Sequence, residues 1–292
     1  MRTFVFTCLL LLGMTTFAQD ANFHIYLCLG QSNMEGNAKV EEQDTVAVDS
    51  RFQVLAAVDC PNLGRTKGNW YKAVPPLARC YTGLTPGDYF GRAMVANLPS
   101  NVRVGIINVA VGGCRIELFD KDNYQSYVET SPDWLKNMVK EYGGNPYARL
   151  VEMAKLAQKD GVIKGILLHQ GESNTNDKDW PLKVKGVYDN LLNDLGLSAA
   201  NVPLLAGEVV HADQNGVCAS MNTIIDSLPQ VIPTAHVISS AGCPAAFDNL
   251  HFTAEGYRML GARYAAKMLS ILGYGDWTSA QNMKLSLIHI SE

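Results

Sequence analysis

The sequence predicts an α/β fold, a three-layer α/β/α sandwich built on a mainly parallel five-stranded sheet, and three observations predict it. Short apolar runs recur at 24–30, 53–58, 103–110, 163–169 and 203–209, with a further strand-like segment at 235–240. Helical patterns fall between and after them, around 87–97, 147–158, 184–195, 219–227 and 254–272. Single strands alternating with helices need right-handed crossovers, which cover both faces of one parallel sheet. Third, several runs end in glycine and polar residues, as strands do when their carboxyl ends line a ligand crevice.

The first run, Ile25 to Leu29, is short, partly aromatic and closed by Gly30, so it reads as a buried strand. The segment Gly30-Gln31-Ser32-Asn33-Met34 follows at once. A glycine there lets the backbone turn sharply, which displays both the hydroxyl and the N–H of Ser32. An isolated serine at this point reads first as a helix N-cap. Three further segments favour a nucleophile instead.

The stretch between Cys60 and Gly91 is rich in glycine and proline and reads as a long irregular segment over the sheet edge. Its Trp70 and Tyr71 serve either to stack on sugar rings or to pin the loop to the core. The strand Arg103 to Ala110 runs into Val111-Gly112-Gly113, a turn whose N–H groups are unobstructed by side chains and suit an oxyanion hole. Just past it, Arg115 and Glu117 are either substrate contacts or a salt bridge at the rim. In 147–158, Leu150, Met153 and Leu156 recur at helical spacing, with charged residues between them.

The strand from Gly165 ends in His169-Gln170-Gly171-Glu172-Ser173-Asn174. Gln170 offers a side-chain N–H to an oxyanion, Glu172 an acid, and His169 reads best as a core histidine bonded to a backbone carbonyl. Near the end of the chain, Asp248-Asn249-Leu250-His251-Phe252-Thr253 leads into a helix that Thr253 caps and whose positive first turn suits Glu255. Asp248 can reach back to the Nδ1–H of His251 and hold the tautomer whose Nε2 accepts a proton.

Taken together, the GQSNM segment at 30–34, the VGG segment at 111–113, the HQGES segment at 169–173 and the DNLHF segment at 248–252 resemble the SGNH hydrolase superfamily. The likeness is to its carbohydrate esterase branch, which includes family 6 acetylxylan esterases and sialate O-acetylesterase-like proteins, and it runs from about His24 to Leu272. The resemblance implies an SGNH, flavodoxin-like fold with Ser32 as nucleophile, His251 as general base and Asp248 as its orienter. It implies oxyanion donors from the N–H groups of Ser32 and of Gly112 or Gly113, with the Gln170 amide as a third. Many members use an asparagine as that third donor, and Glu172 competes with Asp248 for the acid.

The chain opens with Arg2, an apolar stretch from Phe4 to Met14 and Thr16-Phe17-Ala18, the pattern of a secretory signal peptide cleaved after Ala18. That stretch is too short to span a membrane, and no later apolar run reaches 18 residues, so a secreted or periplasmic protein without a membrane anchor is expected. The domain expected is 19–276, with a tail over 277–292 outside the functional reading. Beyond the leader, 23 basic residues face 28 acidic ones, a mild acidity without basic clusters that argues against nucleic-acid binding. Of the six cysteines past the leader, Cys60 with Cys80 is the expected pair and Cys218 with Cys243 the next, while Cys114 is a lesser candidate nucleophile.

Competing chemistries lack their templates. There is no G-x-S-x-G elbow, no H-E-x-x-H, no G-x-G-x-x-G and no P-loop. Glu172 and Glu208 would supply paired carboxylates for glycoside cleavage, but Ser32 and His251 would then have no role. The expectation is a secreted serine esterase acting on an acetylated carbohydrate, with no metal or organic cofactor. A sialate O-acetylesterase, and a catalytically idle carbohydrate-binding protein on the same fold, are the alternatives.

Overall fold

In a computed structural model describing residues 19–275, alternation along β1 (Asp20–Gly30) divides the interior in two. Ile25, Leu27 and Leu29 enter one core and Tyr26 and Cys28 the other, as the period of two along a strand requires. All five are almost wholly buried, and burying an aliphatic side chain such as Ile25, Leu27 or Leu29 stabilises the fold by roughly 1.5–3 kcal/mol. Helices Pro146–Ala157 and Trp180–Leu195 close the first core through Leu150, Met153, Val184 and Leu191. Helices Pro86–Asn97 and Ala254–Ile271 pack on each other over the second core through Phe90, Met94, Tyr257 and Leu260. The result is the three-layer sandwich.

The remaining strands are β2 (Phe52–Leu55), β3 (Trp70–Lys72), β4 (Arg103–Ala110), β5 (Gly161–His169), β6 (Leu204–Gly207) and β7 (Ala235–Ile238). The sheet order is β3-β2-β4-β1-β5-β6-β7, and every neighbour pairs in parallel except β2 with β3. Seven strands therefore stand where five were expected. One addition is the strand-like segment at 235–240. The other, β3, is a three-residue edge strand inside the stretch read as irregular. The expected helix at 219–227 is broken into Ala219–Met221, Asn222–Ile225 and Leu228–Val231, with Pro229 at the start of the last piece, where its missing N–H costs nothing.

The chain leaves the central β1 for one side of the sheet and later returns past it to the other. Such a reversal opens a crevice at the carboxyl ends of the strands beside it. Register places those ends level, since Gly30 pairs with both Ala110 on β4 and His169 on β5. Gly30 has φ +149°, and a Cβ there would lie 2.0 Å from the His169 carbonyl oxygen, so only glycine lets β1 turn off so close to β5. The turns that follow these strands carry Ser32, Gly112 and Gln170 to one place.

Trp70 and Tyr71 lie on the edge strand β3, with β2 and β4 between them and β1. The Trp70 ring packs 4.8 Å from Phe23, its Nε1–H donates to Asp160, and the Tyr71 hydroxyl accepts the Thr66 N–H. They pin the loop to the core, and the sugar-stacking alternative is set aside by position. Cys60 and Cys80 form a disulfide. Cys218 and Cys243 do not pair: the Cys218 thiol faces the Glu172 carbonyl and Cys243 is buried in the second core. Residues 1–18 and 277–292, the expected leader and tail, lie outside the described residues.

Candidate active site

Ser32 opens the one-turn helix Ser32–Glu35 directly after β1, and His251 sits on the loop entering Ala254–Ile271. The Ser32 hydroxyl is 2.8 Å from His251 Nε2, and His251 Nδ1 is 2.7 Å from Asp248 Oδ2. A carboxylate only accepts, so Nδ1 carries the ring proton and Nε2 presents its lone pair to the serine. Asp248 Oδ1 accepts the backbone N–H groups of Leu250 and His251. Burial pulls the Asp248 carboxyl upward, but the bonds from the His251 ring and from these two N–H groups outweigh it and hold the group below the ordinary carboxylate range. An ionised Asp248 is what fixes the tautomer.

Glu172, the competing acid, is held elsewhere. Its Oε1 accepts from Asn33 Nδ2 at 2.5 Å and lies 3.8 Å from His169 Nδ1. Asn33 is fully buried and also donates to the Leu250 carbonyl, while its Oδ1 accepts the Tyr257 hydroxyl. One asparagine thus ties the serine turn to the His251 loop and to the turn after β5. His169 donates Nε2–H to the Glu208 carbonyl, the core role expected of it, and burial lowers its pKa. Glu208 spends its carboxylate on Ser239 and the Ser240 N–H.

Two of the expected oxyanion donors are committed to other partners. The Gly112 N–H donates to Glu35 Oε1 at 3.0 Å, and Glu35 is in turn paired with Arg79. The Gln170 amide faces inward: Nε2 donates to Asn174 Oδ1, Gln31 Oε1 and the Cys114 carbonyl, and Oε1 accepts the Trp180 indole N–H. Short polar side chains from two different turns thus satisfy groups that sequence reading left open, because a buried donor left unpaired costs about 1–3 kcal/mol. The N–H groups of Ser32 and Gly113 have no protein acceptor among the described residues and remain available to a reacting oxygen. Gln31, which the sequence did not single out, carries a further N–H beside this turn. Its Oε1 is fixed by Gln170 Nε2 and the Ser173 N–H, so its NH₂ end is oriented, and that end has no protein acceptor among the described residues.

Arg115 and Glu117 belong to a rim network with Asp177 and Lys183, not to the reacting groups. Cys114 is fully buried and burial pushes its thiol well above the ordinary range, which removes it as a nucleophile. Two aromatic residues that the sequence did not single out border the row of site residues. Trp134, half exposed, lies against Gly113, where an added Cβ would be 2.7 Å from its ring. Phe247 is exposed beside Asp248. Among the described residues no cluster of His, Cys, Asp and Glu could hold a metal ion.

A family model described as "Carbohydrate esterase, sialic acid-specific acetylesterase" matches residues 22–270. A probable carbohydrate esterase of Arabidopsis thaliana is 25% identical over 264 residues, 84% of this chain and 90% of that protein. The X-ray structure of that Arabidopsis protein superposes with a TM-score of 0.65 at 21% identity, covering 86% of this chain and 99% of that one. A carbohydrate acetylesterase from Xanthomonas citri gives a TM-score of 0.58 at 17% identity, covering 85% of this chain and 56% of that one.

Proposed function

The chain belongs to the carbohydrate esterase family of sialic acid-specific acetylesterases, and on that footing we propose that it is a serine esterase hydrolysing O-acetyl groups on a polysaccharide such as acetylxylan. The observation that carries this reading is the unbroken relay Ser32 Oγ, His251 Nε2, His251 Nδ1, Asp248 Oδ2, with links of 2.8 and 2.7 Å. Both fall within the reach that proton transfer requires.

In this reading Ser32 Oγ bonds to the ester carbonyl carbon while its proton passes to His251 Nε2. Asp248, ionised, stabilises the imidazolium and keeps the ring in place. The developing oxyanion is met by the N–H groups of Ser32 and Gly113, with the Gln31 amide beside them. His251 returns the proton to the leaving sugar oxygen as the carbonyl–oxygen bond breaks. Water, deprotonated by the same imidazole, then attacks the acetyl-enzyme, and acetate leaves with Ser32 restored.

The leader pattern over residues 1–18 makes this an exported protein in the proposal, and the Cys60–Cys80 disulfide suits an oxidising compartment. Acetate release from acetylated xylan, acetylated sialic acid and a small chromogenic acetate tests the reading. Turnover of acetylxylan well above the sialate is the expected result. A preference for the sialate reassigns the sugar, and no acetate from any of the three contradicts the esterase reading itself.

A further inference from the structure

The residue beside Asp248 is the most exposed large apolar side chain among the described residues: Phe247 is 99% accessible. Exposing a phenyl ring forgoes the stabilisation its burial would give, and here the ring is held out on a constrained backbone directly beside Asp248. The backbone here is constrained. The Asn249 N–H donates to the Ala246 carbonyl, closing a turn with Phe247 and Asp248 at its centre. The Ala246 N–H donates to the His251 carbonyl, and the Val217 N–H to the Asn249 carbonyl. Asn249 takes φ +51°, a conformation asparagine tolerates better than most residues. Phe247 is therefore carried on the same short loop that holds Asp248 and His251.

That loop forms one wall of a cleft of about 460 Å³, within the usual size range of small-ligand sites. Asp248 and His251 line it together with Phe247, and Asn37 and Lys39 face them from the chain after the serine turn. Lys39 has no ion-pair partner among the described residues. The reaction fixes which half of the substrate belongs here. His251 must deliver its proton to the leaving oxygen, so the alcohol half of the ester lies on the His251 side, whereas the carbonyl oxygen lies toward Gly113.

We propose that this cleft is the leaving-group subsite and that Phe247 is its specificity-determining residue, stacking its ring against the apolar face of the sugar whose hydroxyl departs. Asn37 and Lys39 supply donors to that sugar's remaining hydroxyls. The inference rests on the serine esterase reading above, and its test separates the two. Phe247→Ala and Phe247→Tyr are compared with wild type on two acetates that share an acyl group, a xylose acetate and ethyl acetate, whose leaving group has no ring face. In Phe247→Ala the ratio of kcat/KM for the sugar ester to that for ethyl acetate falls about five- to tenfold, the size of one aromatic contact, mainly through KM, and Phe247→Tyr restores it. A ratio left at the wild-type value by Phe247→Ala overturns the subsite and leaves the esterase reading intact. An equal loss on both esters that Phe247→Tyr does not repair also overturns it, since the ring would then act through the loop. Failure of the esterase reading shows separately, as wild-type enzyme that hydrolyses neither ester.

Discussion

The sequence offers two acids for His251, Asp248 from its own motif and Glu172 from the segment after β5, yet only one carboxylate meets the imidazole. Asp248 reaches Nδ1 at 2.7 Å, while Glu172 is bonded to Asn33 beneath the serine turn. Removing the orienting acid of such a relay costs up to about 10⁴-fold in kcat, because the wrong tautomer then faces the serine. Asp248→Asn is expected to show a loss approaching that size in a protein that melts as wild type does. Glu172→Gln, whose amide retains an oxygen for Asn33, is expected to lose far less kcat and to show its effect in the melting temperature. A dead glutamine variant beside an active Asp248→Asn would reverse the assignment. Ser32, His251 and Asp248 were legible as residues because each sits in a compact motif at the end of a regular element. Gln31, Glu35 and the turned-in Gln170 were not. Their roles depend on partners such as the one 77 residues away that takes the Gly112 N–H, and spacing along a chain carries no sign of such a meeting.

At the scale of elements, helix Pro86–Asn97 starts with a capping box in which Thr85 and Asp88 satisfy each other's backbone N–H groups. Asp88 is buried, and burial lifts its carboxyl from 3.8 to about 8, although the Thr85 N–H and Arg92 pull the other way. A carboxyl whose folded pKa stands above its unfolded one holds its proton more tightly in the folded protein. Its contribution is full below about pH 4 and is lost as pH rises through about 8. Urea midpoints of wild type should therefore fall between pH 5 and pH 9 more steeply than those of Asp88→Asn, which mimics the neutral acid at every pH. Equal slopes in the two proteins would mean that Asp88 is ionised in the folded state. The elements differ in how plainly the sequence shows them. Runs such as Ile25 to Leu29 are legible because a strand buried on both faces is apolar throughout. The edge strand Trp70–Lys72 is short, half covered and set among glycines and prolines, so no periodicity announces it.

Across the whole molecule, the doubly covered sheet holds three turns, after β1, β4 and β5, at one level, and Ala254–Ile271 brings the His251 loop over them. No helix among the described residues is long and apolar enough to cross a membrane. The fold class was visible in the order of strands and helices. Strand register, which brings the Gly30, Ala110 and His169 ends together, was not visible, because it is set by packing between distant segments. In the proposed mechanism Ser32, placed by that register, is the nucleophile. Acetate release by Ser32→Ala, measured beside wild type at saturating acetylated carbohydrate, tests it most directly. Loss of roughly 10³-fold or more in kcat, with substrate binding nearly unchanged, is the expected result. An alanine variant that keeps more than a tenth of wild-type turnover would contradict it.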